Sequence, residues 1–188
     1  MNIIKNSFFK SSLIYLLITF VNGVLTILTT TLIVNNLSTG SVGEIDFLMS
    51  ISNFCVMFIH FGSSTFIAQK NSITNHTKTT INSNAISLFI FNSLLVIIFS
   101  LLALINFSFI EYFFIVFYSV LLALITLYLS YLQFYNFKKK FAIITFSLVS
   151  INYTTLLIFK SVTDFYELRL LSLIFVHFLI SISIVFYN

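Results

Sequence analysis

Five side chains within one apolar stretch have the types and the spacing to form a polar path. The stretch is Asn36–Lys70, and in it Asp46, Ser50, Asn53, Met57 and His60 step by four, three, four and three positions. At about 3.6 residues per turn they share one helix face. We call these five residues the polar stripe. In a bilayer such groups are costly, so they usually face a bundle interior or a water-filled cavity.

The composition excludes a soluble domain. Of 188 residues, 59% are hydrophobic and only 7% are charged, the mean hydropathy is +1.09, and there are 25 phenylalanines. A soluble domain carries about 25% charged residues because its surface is solvated. The sequence therefore predicts an integral membrane protein.

The positive net charge reflects topology rather than nucleic-acid binding. The formal net charge is +4, and the cations lie in small groups between apolar runs. The densest group is Lys138, Lys139 and Lys140, which is too short to indicate a nucleic-acid site and is typical of a loop that sets orientation.

No motif indicates an enzyme, a cofactor or a metal. The chain lacks a Gly-rich phosphate loop, paired cysteines, H-E-x-x-H and G-x-S-x-G. Cys55, the only cysteine, is five residues from His60 and off its helix face, so the two form a poor metal pair. We expect no catalytic activity, no cofactor and no metal.

The apolar runs predict an all-α bundle of six transmembrane helices in one domain, residues 1–188. At ~1.5 Å per residue the first run crosses the hydrocarbon core, and it is about twice the length of a signal-peptide core. No proline occurs, so a bent helix would have to use Gly23 or hydroxyl residues. The predicted spans are 13–34, 45–68, 85–105, 112–135, 141–159 and 168–187.

The lysine distribution predicts that both termini are cytoplasmic. With the N-terminus inside, the inside segments hold seven lysines: Lys5, Lys10, Lys70, Lys78 and Lys138–Lys140. The outside segments hold only Lys160 and Arg169. This asymmetry is a positive-inside pattern, which leaves the glycine-containing turn before the second span, and Glu111, facing outward.

Other spans carry milder polar faces. Asn22, Thr26, Thr29 and Ile33 share one, and Ser119, Ala123, Thr126, Ser130 and Gln133 share another. Packing between helices through small and hydroxyl residues is the favoured interpretation of both. His60 and His177 are single histidines, more often packed than functional, and Arg169 can snorkel to the interface.

The order of these features resembles a known family. FFKSSLIYLLITFVNGVLTILTTTLIVNNLS is followed by TGSVGEIDFLMSISNFCVMFIHFGSSTFIAQK, and KKKFAIITFSLVSIN comes later. The chain is similar to the N-terminal end of Wzx-type polysaccharide-lipid flippases of the MATE/MOP superfamily. Gly43 matches a turn glycine of that family, Gly62 a glycine late in the second helix, and Lys70 its basic end.

The resemblance implies an architecture and a function. Members have about twice as many spans, in two bundles, so the chain would be one half of a two-bundle transporter. It would be a truncated or frame-interrupted product, or pair with a second half or a second copy. The implied partner is an undecaprenyl-diphosphate-linked oligosaccharide, flipped across a bacterial inner membrane for O-antigen or capsule synthesis. No lysine or arginine lies deep in a predicted span to hold its diphosphate.

Within that picture, helical facing suggests site residues. Asn22, Asn53, His60 and Gln133 are the substrate-path candidates, and Glu44 and Asp46 are the candidates for coupling to an ion at the outer mouth.

Two other functions remain open. A non-transporting subunit, such as a scaffold of a polysaccharide assembly complex, would use its polar faces only for helix packing. A drug or cation exporter of the same superfamily would need a buried carboxylate in mid-membrane, and no predicted span contains one there.

Overall fold

The computed structural model of the chain describes residues 2–63, 83–103, 107–134, 137–159 and 165–186. These residues form six α-helices and no strand: α1 Asn2–Asn36, α2 Thr39–His60, α3 Ser83–Ala103, α4 Phe109–Phe134, α5 Lys138–Phe159 and α6 Phe165–Phe186. Five of them are long and apolar enough to cross a membrane; α3 has a shorter apolar stretch, Ile86–Ile98. The prediction of an all-α membrane bundle is confirmed.

The helices begin earlier than their apolar runs. α1 starts at Asn2 and α5 at Lys138, so the lysine-containing segments predicted as flanks are first turns of helices. Helical hydrogen bonding continues through polar residues wherever no proline or left-handed glycine interrupts it, whereas hydropathy marks only the part that suits lipid.

The predicted glycine-containing turn between the first two spans is mostly helix. Only Leu37 and Ser38 lie between α1 and α2, and Gly40 and Gly43 are helical. Ser38 is the N-cap, and its side chain accepts a hydrogen bond from the Ser41 amide at 3.2 Å. A serine cap contributes about 1 kcal/mol, which helps offset the low helix propensity of the glycines that follow.

Helix α4 is the centre of the bundle. It packs against α2 and α6 along most of its length and more lightly against α3 and α5, whereas α1 packs mainly on α5. Phe114, Ile115 and Tyr118 of α4 meet the start of α2 and of α6, and Ala123, Ile125 and Leu132 continue the core along the same helix. The outward faces are rich in exposed phenylalanine, leucine and isoleucine, as lipid contact requires.

The two ends of the bundle differ in charge. α2, α4 and α6 begin at one end, with Glu44, Glu111 and Glu167 in their first turns or close to them. We call this the acidic end. α5 begins at the opposite end with Lys138–Lys140, which we call the lysine end.

Candidate functional site

Helix α2 ends at His60, and Phe61 and Gly62 form a turn directly after it. Gly62 has φ +82°, and a Cβ built on it would lie 2.9 Å from the Leu88 Cδ2 atom of α3. Only glycine suits both the left-handed backbone and that close approach. The Asn92 amide of α3 donates to the carbonyl oxygens of Ile59 at 3.3 Å and Phe61 at 3.1 Å. Two carbonyl oxygens at the end of α2 are thus satisfied by a neighbouring helix.

The end of α2 lies beside the middle of neighbouring helices rather than at an end of the bundle. Asn92 is near the middle of α3 and of its apolar stretch Ile86–Ile98. His60, the last residue of α2, lies beside Thr126 of α4. Thr126 is eight residues before Phe134, where α4 ends, and therefore about 12 Å from that end at ~1.5 Å per residue.

Gly23, considered as a possible site for a bend, lies inside the continuous helix α1. The glycine with a left-handed backbone is Gly62, which follows the end of α2. The predicted span 45–68 continued through this point because the residues on both sides are apolar. Within the described residues α2 ends at His60, and 64–68 lie outside them.

Most of the polar stripe lies on the outer surface of the bundle. Asp46, Ser50, Asn53 and Met57 are all exposed, Met57 by 72%. The Ser50 hydroxyl donates to the Asp46 carbonyl oxygen of its own helix at 2.7 Å. The Asn53 amide makes no hydrogen bond with the other described residues. An amide with no partner in the described part of the chain therefore faces outward in the second half of α2.

His60 turns away from the other four residues and into the bundle. Its Nε2 donates to the Ala123 carbonyl oxygen at 2.8 Å and lies 2.5 Å from Thr126 Oγ1. A straight helix drifts by about 20° per seven residues, so a stripe that faces outward at Asp46 has rotated by about 40° at His60. His60 thus joins α2 to α4.

The polar face of α4 packs against α2. Ser119 and Ala123 are fully buried, and the Ser119 hydroxyl is 3.3 Å from the Ser52 carbonyl oxygen of α2. At Ser119 and Ala123 the polar face of α4 therefore serves helix packing, as the sequence favoured. Gln133 lies one residue before the end of α4 and is exposed at the lysine end.

Asn22 lies on another side of the bundle. It is in α1, which packs mainly on α5, and its Oδ1 is buried without a hydrogen-bond partner. No hydrogen bond in the described chain joins any two of Asn22, Asn53, His60 and Gln133. The structure does not gather these four substrate-path candidates into one cluster.

The two ion-coupling candidates lie near the acidic end. Glu44 and Asp46 are both exposed on α2. Glu44 is close enough to interact electrostatically with Tyr166 of α6, whose hydroxyl donates to Glu111 Oε1 at 3.1 Å. Glu111 also accepts from the Ser108 amide at 2.9 Å and so caps α4. Glu111 is structural, whereas Glu44 and Asp46 remain open to solvent.

The burial of Arg169 could not be predicted from the sequence. Arg169 was expected to snorkel, but only 4% of it is exposed. It donates from Nη1 to the Asn152 side-chain oxygen of α5 at 2.7 Å, while its buried Nε has no partner. Tyr118 of α4 lies close enough to interact electrostatically, and His177 meets the Tyr118 ring edge-on at 4.7 Å between centroids. A positive charge is therefore enclosed by α4, α5 and α6.

The only sequence signals for this cluster were Asn152 in mid-span and Arg169 after the start of the last span. Neither signal reveals that the two side chains meet. Arg169 lies close to the start of α6, so the expectation that no lysine or arginine lies deep in a span stays a prediction.

No protein-family model, curated protein or solved structure matches the chain. Its class rests on the structure itself, an all-α, multi-pass bundle with several helices able to cross a membrane.

Proposed function

We propose that the chain forms one wall of a path that moves a polyprenyl-diphosphate-linked oligosaccharide across a membrane. The observation that carries this proposal is the exposed polar stripe on α2, from Asp46 to Met57. Lipid does not stabilise a bare amide or carboxylate, so this face needs water, substrate or a second bundle against it. A path between two bundles would place water, the substrate and the second bundle against this face.

The end of α2 supports the same function. Transporters place irregular backbone at their substrate and ion sites, and such backbone is tolerated at membrane depth only where it is buried or lines a cavity. Here the turn at Phe61 and Gly62 directly follows the stripe. The helix α2 therefore combines a polar face with irregular backbone at its end.

Arg169 does not serve as the diphosphate partner in this conformation. Its guanidinium is enclosed by three helices and is not on the stripe. The cations that bind a diphosphate are therefore expected on the second bundle.

The proposed setting is a bacterial inner membrane, with the lysine end cytoplasmic and the product used for O-antigen or capsule synthesis. The lysine distribution supports this orientation. A cysteine at Lys139 should react with an impermeant thiol reagent only after the cells are permeabilised. A cysteine at Phe109 should react in intact cells, and the reverse pattern would overturn the orientation.

The test of the path uses the single native cysteine. In a Cys55→Ser background, Asn53→Cys should react with a water-soluble thiol reagent in membranes, whereas Phe54→Cys, exposed but off the stripe, should stay unreactive. Asn53→Leu should lower surface O-antigen or capsule, and Phe54→Leu should not. Equal reactivity at both positions together with full polysaccharide display in Asn53→Leu contradicts the path.

A scaffold subunit is the second candidate. It is favoured by the packing roles of His60, Ser119 and Thr126, which join helices rather than line a space. An unreactive Asn53→Cys with unchanged polysaccharide would select this function. A cation exporter is not favoured, because the described residues include no buried carboxylate.

A further inference from the structure

We infer that the bundle binds one small monovalent anion, chloride or an ion of similar size, against Arg169 between α4, α5 and α6. The site consists of the Arg169 guanidinium of α6, the Tyr118 hydroxyl of α4 and the Asn152 side-chain amide of α5. It is separate from the proposed path, because Arg169 does not lie on the polar stripe. The anion site and the path can therefore be tested independently.

Arg169 carries a charge that the described residues do not neutralise. It is the only arginine in the sequence, and only 4% of it is exposed. Tyr118 and His177 are the titratable groups of the described chain that interact with it electrostatically. Neither a phenol nor an imidazole supplies a negative charge near pH 7. A guanidinium removed from water in this way needs a counter-charge, because an unpaired buried ion is strongly unfavourable.

The nearby carboxylates interact with a different residue. Tyr166 lies three residues before Arg169 on α6. Three carboxylates interact electrostatically with this tyrosine: Glu44, Glu111 and Glu167. Glu111 also accepts a hydrogen bond from the Tyr166 hydroxyl at 3.1 Å. Among the described residues no carboxylate forms an ion pair with Arg169, so the counter-charge has to come from outside this part of the chain.

Several hydrogen-bond donors beside Arg169 also lack an acceptor. A guanidinium has five N–H donors. Nη1 of Arg169 donates to Asn152 Oδ1 at 2.7 Å, whereas Nε is buried and has no partner. The Tyr118 hydroxyl and the Asn152 Nδ2 group make no hydrogen bond with other described residues. Unused donors from three helices thus lie beside one buried positive charge, which is the arrangement that binds an anion.

The single charge and the burial of Arg169 define the ligand. One monovalent anion neutralises one guanidinium, whereas a phosphate or diphosphate group needs further cations, and Lys138–Lys140 begin α5 at the opposite end of the bundle. A carboxylate attached to a sugar or a lipid is too bulky to reach a side chain that is enclosed by three helices. Water can accept a hydrogen bond from Nε, but it leaves the charge uncompensated.

The site lies close to one end of the bundle. Arg169 is four residues after Phe165, where α6 begins, and therefore about 6 Å from the acidic end at ~1.5 Å per residue. Asn152 is seven residues before Phe159, where α5 ends, or about 10 Å from the same end. An anion in solution therefore reaches the site through a local opening of one or two helical turns at the acidic end.

Binding of radiolabelled chloride to the purified full chain in lipid nanodiscs tests the inference. We expect saturable binding of one chloride per chain, with displacement by bromide but not by the much larger gluconate ion. The double variant Arg169→Met with Asn152→Leu leaves no buried charge, so it should fold and should not bind chloride. The absence of saturable binding to the unaltered chain would overturn the inference and would leave Arg169 to water or to a residue outside the described part of the chain.

The Tyr118 hydroxyl tests whether the anion occupies the assigned position. Tyr118→Phe keeps the ring that stacks on Phe114 at 4.9 Å between centroids. It removes one donor, so the chloride affinity should fall about 10-fold or more, the effect of one hydrogen bond to a charged group. Tyr153→Phe, next to Asn152 on α5, is the matched control and should leave the affinity unchanged. Equal affinities in the two variants would overturn the assigned site.

Thermal unfolding gives a second measurement. At constant ionic strength, replacing gluconate by chloride at ten times its Kd should raise the Tm of the unaltered chain by about 3–6 °C, because the ligand binds only the folded state. The double variant without Arg169 and Asn152 should show no such rise. An equal rise in both proteins would be a general salt effect and would overturn the inference.

Discussion

The Arg169 guanidinium donates to the Asn152 side-chain oxygen at 2.7 Å, joining α6 to α5 inside the bundle. A buried charge is costly, so the partner that compensates it becomes structurally important.

Removal of Asn152 should therefore destabilise the fold. We expect Asn152→Ala to lower the free energy of unfolding by about 1.5–3 kcal/mol, the range for a hydrogen bond to a charged group. Replacing both residues, as Asn152→Leu with Arg169→Met, should recover much of the loss because no charge remains buried. Unfolding in detergent measures this, with exposed Thr154→Ala as the control. A double variant less stable than Asn152→Ala would contradict it.

Gly62 should be far more sensitive to substitution than Gly23. Gly62→Ala places a Cβ at positive φ and close to Leu88, so we expect a loss of about 1–3 kcal/mol. Gly23→Ala meets no atom within 4 Å and should be neutral or stabilise α1 by up to about 1 kcal/mol. Thermal unfolding of both variants checks this. Adding Leu88→Ala should recover only the steric part of the Gly62→Ala defect.

His60 and Thr126 should be energetically coupled. Replacing either residue removes the same contact between α2 and α4. A double-mutant cycle with His60→Leu and Thr126→Val should therefore give a coupling free energy of about 0.6–2 kcal/mol. Asn53→Leu is the comparison on the same helix, and it should not destabilise the monomeric bundle. Additive effects of His60→Leu and Thr126→Val would show that the contact contributes nothing.

Asn92 should protect the end of α2. Asn92→Leu leaves the Ile59 and Phe61 carbonyl oxygens without their donor, so we expect faster amide hydrogen exchange in the last turn of α2. Ser93→Ala is a close control, because Ser93 donates only to Phe89 of its own helix, at 2.7 Å. Equal amide hydrogen exchange rates in the two variants would show that packing, and not the Asn92 hydrogen bonds, stabilises the last turn of α2.

The spans could be predicted because hydropathy and length are local properties. Five of them correspond to described helices of sufficient length, with bounds shifted by polar residues that extend each helix. The end of α2 before Gly62 could not be predicted in this way. Its flanking residues are apolar, and the groups that fix it, Leu88 and Asn92, belong to the next helix.

The site was only partly predictable for a related reason. Helical periodicity placed Asp46, Ser50, Asn53 and Met57 on one face, and they do share the outer face of α2. Periodicity did not show that the face rotates inward at His60, because the drift accumulates over two heptads. Contacts between different helices, such as that of Arg169 and Asn152, are absent from any single-helix pattern.

The threonines of α1 bear on how the protein is made. α1 leaves the ribosome well before α5, its main packing partner, which begins only at Lys138. Thr26, Thr29, Thr30 and Thr31 all donate to carbonyl oxygens within α1. Their hydroxyls are therefore already hydrogen-bonded when α1 lies in the membrane and α5 has not yet been inserted. α1 can be inserted early and docked late, with little penalty during synthesis.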